Sequence, residues 1–92
     1  MSKFYLFGKY SQDALKHASS DRTKKAVEII EGFGGKVLSM DILVGEKDLV
    51  MVVDLPNTVS VIKASVELIK MTGIGFSSSP AMPVEDFDKL IK

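Results

Sequence analysis

The chain has no cysteine, a single histidine, no net charge and no long apolar run. Without cysteine there are no disulfides, no thiolate metal sites and no cysteine nucleophile. Twelve Lys and Arg residues balance twelve Asp and Glu, so no net field draws the chain to nucleic acid or to an anionic membrane surface. Neither partner is expected. The opening MSKFYLFGKY holds too short an apolar stretch for a secretory leader, and no segment approaches the roughly 20 residues of a membrane-spanning helix. A cytoplasmic protein is the expectation. One histidine, with no carboxylates clustered at ligand spacing, leaves no metal to predict, and no cofactor is expected either.

What remains is ordinary globular material. Its 92 residues are 46% apolar and 26% charged, which fits one domain over residues 1–92. A chain this short buries only about 60–65% of its unfolded surface, so sharing a core between subunits adds much to stability.

The elements read in order. Aromatic-rich KFYLFGKY (3–10) is a first strand, with Phe4 and Leu6 on one face and Tyr5 and Phe7 on the other. Ser11 can cap a short helical turn holding Ala14, Leu15 and Ala18, and SSD at 19–21 restarts the helix. Ala26, Ile29, Ile30 and Phe33 then recur at helical spacing until Gly34-Gly35 stops it. KVLSMDIL (36–43) and DLVMVVDL (48–55) are two strands. Pro56-Asn57 opens a second helix, with Val59, Ile62, Val66 and Ile69 expected as its buried stripe and Gly73 as its end. IGFSSS (74–79) is a shorter strand. After Pro80 and Pro83 a terminal helix carries Val84, Phe87, Leu90 and Ile91 as its apolar residues. Strand, helix, strand, strand, helix, strand predicts an α+β, ferredoxin-like βαββαβ fold with antiparallel sheet order 4-1-3-2, both main helices on one face.

The stretch LVGEKDLVMVVDLP (43–56) sets the hairpin. With Gly45 and Glu46 as a two-residue type II′ loop, Gly45 takes positive φ. Counting back pairs Ile42 with Leu49, Met40 with Met51 and Leu38 with Val53 on an apolar face. The other face pairs Leu43 with Asp48, Asp41 with Val50, Ser39 with Val52 and Val37 with Asp54. A one-residue slip scrambles this segregation; a longer loop with a bulge is the other geometry the pattern allows. The two helices cover one face only, yet strands 1 and 3 are apolar on both. The uncovered face therefore calls for a partner, the terminal helix, or both, and a homodimer packed sheet to sheet is expected.

GEKD (45–48) between two strands, FGKY (7–10) and GFGGKV (32–37), followed by the closing PVEDFDKLI, together resemble the GYD-domain family. The resemblance runs from strand 1 through the terminal helix. Gly45 and Asp48 match two positions of the Gly-Tyr-Asp signature, while Lys47 stands where the family has Tyr. What the resemblance implies is a dimeric α/β barrel of unassigned biochemistry. The Gly-x-x-Asp turn is also similar to that of the effector-binding domain of leucine-responsive regulators, an analogy of fold alone.

The site candidates are Lys9, Tyr10, His17 and Asp48, with Gly45 and Glu46 forming the turn beside them. The end of strand 1 lies next to the start of strand 3, so Lys9 can reach Asp48. The pair is either a charged mouth to a cavity or an exposed ion pair contributing about 0–1 kcal/mol, and the bland reading is favoured. His17 is a candidate proton carrier, though a lone histidine on a surface turn is more often incidental. Tyr5, Phe7 and Tyr10 can stack bases in RNA-binding folds of this topology, but Asp48 and Asp54 repel phosphate, so packing is the better account. GFGG follows a helix instead of a strand, which makes it a helix stop and no phosphate cradle. SSSP (77–80) has no base or oxyanion partner in view, and Met40 and Met51 read as adaptable core filler. The leading reading is a homodimeric, non-catalytic module that binds a small molecule or regulates. A cofactor-independent monooxygenase or isomerase is its rival, with a pocket between helices and sheet where His17, Tyr10 or Lys9 handles protons. A purely structural subunit is a third.

Overall fold

Alternation along the first strand sets the layout. In a computed structural model that describes residues 1–92, β1 (Ser2–Lys9) buries Phe4 and Leu6 on one side and leaves Tyr5 and Phe7 half-buried on the other. Ser11 Oγ accepts from the Ala14 N–H at 2.9 Å and caps α1 (Gln12–Lys16). Ser19 Oγ accepts from the Arg22 N–H at 3.1 Å and caps α2 (Ser20–Gly32). Each cap satisfies an amide that a helix start leaves without a partner. α2 buries Ala26 and Ile30 and gives way to Gly34. At Gly35 a Cβ would run into the Asp54 carbonyl oxygen and the Leu55 side chain. Only a residue without a side chain lets the chain begin its next strand this close to the neighbouring one.

β2 (Lys36–Ile42) and β3 (Leu49–Leu55) form the hairpin. Asn57 caps α3 (Thr58–Thr72), which ends at Gly73 in the left-handed conformation that glycine adopts without steric cost. β4 (Gly75–Ala81) and α4 (Val84–Leu90) complete the chain. The sheet is antiparallel throughout with order β2-β3-β1-β4, the expected 4-1-3-2 read from the opposite edge. Leu6, Ile30, Met51, Val53, Leu55 and Leu68 form the fully buried centre, between the sheet and the pair α2 and α3. β4 runs two residues past the expected strand and includes Pro80. It pairs only with β1, and an edge strand tolerates a residue that cannot donate to a second neighbour.

Three local expectations are corrected. The hairpin register holds from Ile42–Leu49 to Ser39–Val52, and Gly45 has φ +147°, but no backbone hydrogen bond joins Val44 to Lys47. The two-residue type II′ loop is replaced by an open loop over 43–48. Leu43 N–H still donates to the Asp48 carbonyl at 2.8 Å, whereas the Asp48 N–H turns to the Gly8 carbonyl of β1 at 2.9 Å. Further along, the register shifts between Val37 and Ser39, so Val37 faces Val53 and Lys36 faces Asp54. Leu38 bulges out of the ladder, and the expected Leu38–Val53 and Val37–Asp54 pairs do not form. The shift brings Val37 to the helix-covered side and sets a lysine opposite an aspartate.

The third correction concerns α3. Val59, Ile62, Val66 and Ile69 face outward, while Val61, Ala64, Leu68 and Thr72 are buried. Both stripes have helical spacing. Ala64, with no exposed surface, lets the α3 backbone approach the sheet as Ala26 does for α2, and that close approach selects the inner stripe.

Candidate functional site

The end of β1 and the start of β3 place the charged candidates side by side. Lys9 Nζ lies 3.6 Å from Asp48 Oδ2, and the same oxygen accepts from the Tyr10 backbone N–H at 2.9 Å. Asp48 therefore fixes the chain where it leaves β1, while Lys9 remains largely in solvent. These three residues line one cleft of about 330 Å³ with Ser11, Gln12 and Leu15. His17 is not there. Its Nδ1 is hydrogen-bonded to the Asp13 carbonyl oxygen at 2.8 Å on the exposed end of α1, so the structure gathers three of the four candidates and leaves out the histidine. Gly45 and Glu46 sit at the exposed tip of the loop and line neither hollow.

A second hollow, of about 210 Å³, opens between α2, the end of α3 and the sheet. Its floor is deeper than that of the Lys9 cleft: Ala26, Leu49, Met51 and Ile74 are all buried, and Met40, Ile42 and Phe76 complete the apolar wall. Tyr10 and Ile42 line both hollows. Polar groups are few: Arg22, Thr23, Asp41 and Thr72. Thr72 is already engaged, its hydroxyl donating to the Leu68 carbonyl at 2.7 Å and accepting from the Ile74 N–H at 3.0 Å. Arg22 is held on two sides. Its Nη1 donates to the Ala14 carbonyl at 2.6 Å, and its guanidinium carbon stands 5.8 Å from the centre of the Tyr10 ring. The remaining guanidinium N–H donors are held in one orientation with no protein acceptor.

Arg22 was missed in the sequence, though it left a signal. It lies in the first turn of α2, where the partial positive charge of the helix start disfavours a cation. A basic residue in that position has its reason elsewhere, here the Ala14 carbonyl and the Tyr10 ring. Met40 and Met51 are both core and cavity lining, a use that suits their flexible thioethers. No three His, Asp or Glu side chains come together as a metal site, and no helix is long and apolar enough to cross a membrane.

The GYD-domain sequence model matches residues 4–91. This chain belongs to the GYD-domain family. No curated protein matches it significantly. Among solved structures that share the fold of this GYD-domain chain are two regulators. The leucine response regulatory protein (LrpA) of Mycobacterium tuberculosis superposes with a TM-score of 0.63 at 14% identity, over 89% of this chain and 51% of the other. An AsnC family transcriptional regulator from Agrobacterium tumefaciens gives a TM-score of 0.59 at 18% identity, over 88% and 50%. The GYD-domain chain thus spans about half the length of either regulator, and at these identities the likeness is one of ferredoxin-like fold.

Proposed function

We propose that this GYD-domain chain is a non-catalytic binding module that takes a small, mostly apolar molecule with one anionic head into the cavity between α2 and the sheet. The observation that carries the reading is a cavity of about 210 Å³ with a buried apolar floor and a fixed guanidinium at its edge. Pockets for drug-sized ligands run to about 300–1,000 Å³, so the cavity suits a smaller metabolite. A planar guanidinium meets a carboxylate or phosphate through paired hydrogen bonds, and its existing restraint lowers the ordering cost of binding. In this reading Tyr10 forms the wall, Asp48 positions it through the backbone, and Lys9 adds positive potential nearby. Both fold neighbours are regulators, which supports a regulatory class. The proton-handling reading has less support because His17 lines neither hollow.

A thermal-shift screen of short aliphatic and aromatic carboxylates tests this. A ligand at a hundred times its Kd stabilises the native state by about 2.7 kcal/mol, and Arg22→Ala should abolish the rise while leaving the fold intact. A screen without a single stabilising compound, or an Arg22→Ala protein that binds as well as the native one, refutes the reading.

We also propose a homodimer through the open sheet face. Tyr5 and Phe7 stack there with ring centres 6.3 Å apart, opposite Val52 and Val50. Phe7→Asp should halve the mass found by analytical ultracentrifugation. A native chain that sediments as a monomer at micromolar concentration excludes the dimer.

A further inference from the structure

Two apolar surfaces remain once the core, the cavity and the open sheet face are set aside, and they lie on different helices. On the outer side of α3, Val59, Ile62, Val66 and Ile69 are 58, 58, 43 and 41% exposed. Their steps of three, four and three residues form the seam of a two-helix contact. Lys63, Glu67 and Lys70, each one residue beyond a seam residue, run along one side of it, with Glu67 Oε1 3.8 Å from Lys70 Nζ, which leaves that flank one positive charge in excess. On α4, Val84, Phe87 and Ile91 are spaced by three and four residues and are 72, 48 and 65% exposed. At 3.6 residues per turn, Asp86 and Asp88 border this apolar arc on its two sides.

α4 buries none of its residues, and every residue from Met82 to Lys92 is exposed. Pro83 in an extended conformation, φ −59° and ψ 144°, carries the helix off the end of β4. The radius of gyration is 13.7 Å with a long axis of 48 Å, whereas a compact chain of this length has about 12 Å. The terminal helix is an arm.

We infer that two copies of the chain exchange their arms, α4 of each laying its apolar arc on the outer seam of α3 in the other. Charge selects this pairing over the two alternatives. An α3–α3 contact sets two net-positive flanks together, and an α4–α4 contact sets together two helices that each carry Glu85, Asp86 and Asp88 against a single Lys89. α3 against α4 brings the net-positive flank to a net-negative helix, with one of the two aspartates on the lysine side. Length agrees: Val84 to Ile91 rises about 10 Å, and Val59 to Ile69 about 15 Å, so the arm fits within the seam. Reciprocal exchange closes a pair instead of propagating a filament. The contact uses neither the open sheet face nor the cavity, so it stands apart from the proposed dimer and ligand.

The absence of cysteine makes the test direct. Ile62→Cys protein and Phe87→Cys protein, both altered at exposed positions, are mixed and treated with a short bis-maleimide. Mixed pairs should outnumber like pairs several-fold, and the double variant should cross-link between chains when dilute. Lys63→Glu with Lys70→Glu should cut the mixed yield several-fold, and Asp86→Lys with Asp88→Lys on the arm should restore it. The mixed pairs should persist in a Phe7→Asp background, which separates the exchange from sheet-to-sheet pairing. Like pairs alone, a bridge within one chain of the double variant, no bridge at all, or a charge reversal without rescue would each overturn the exchange.

Discussion

On α3, Val61, Ala64 and Leu68 face the sheet and are almost wholly buried, whereas Val59, Ile62, Val66 and Ile69 face away and stay 41–58% exposed. Both stripes are apolar at helical spacing, the inner one slimmer at Ala64 and the outer one built only of Val and Ile. They differ in what stands opposite. The inner stripe meets Met51, Val53 and Ile30 and belongs to one subunit's core; the outer one meets solvent within the subunit and is the surface to which we assign a second copy. Apolar character thus tells that a helix side wants cover, and leaves open which neighbour supplies it.

The largest effect should come from the inner side. Leu68→Ala removes a fully buried side chain and should cost about 2–5 kcal/mol. In thermal unfolding that is a drop of at least about 8 °C, since 1 kcal/mol moves the midpoint of a domain this size by about 4–8 °C. Asn57→Ala removes the cap shared by both sides: Asn57 Oδ1 accepts from the Ser60 N–H at 2.9 Å and from its hydroxyl at 3.1 Å. Urea titration should show a loss of about 1 kcal/mol, with the association state unchanged. Ile62→Ala should alter subunit stability by no more than about 0.5 kcal/mol when measured at high dilution, while weakening association at higher concentration. A loss for Ile62→Ala as large as that for Leu68→Ala would erase the distinction between the stripes.

Legibility in the sequence followed the range of the forces involved. Ser11, Ser19 and Asn57 cap helices, and Gly73 ends one, through contacts within a few residues, so those boundaries were readable. The hairpin register was readable as far as Ser39 because alternation near the loop is local. It failed at Leu38, where the bulge accompanies Gly35 packed against Asp54 and Leu55, a contact between residues far apart in the chain. The site divides in the same way. Lys9 and Asp48 were placed together by strand order alone, and they do meet; the Tyr10 backbone N–H joins them on Asp48 Oδ2. A pocket between helices and sheet with Tyr10 beside it was expected in the enzyme reading, but its lining was not readable, because the walls come from α2, the end of α3 and three strands. Arg22 joins that wall only once α1 folds back to offer the Ala14 carbonyl.

By itself the sequence determined the order of elements, their caps, the antiparallel sheet and the two-sided apolarity of its central strands, because each rests on short-range periodicity and hydrogen bonding. Tertiary structure alone decided which stripe of α3 enters the core, where β2 bulges, that His17 stays outside, and that α4 finds no seat in its own chain. Those outcomes depend on how closely backbones can approach, and that distance is set by residues such as Ala64 and Gly35 only when the opposing surface is in place.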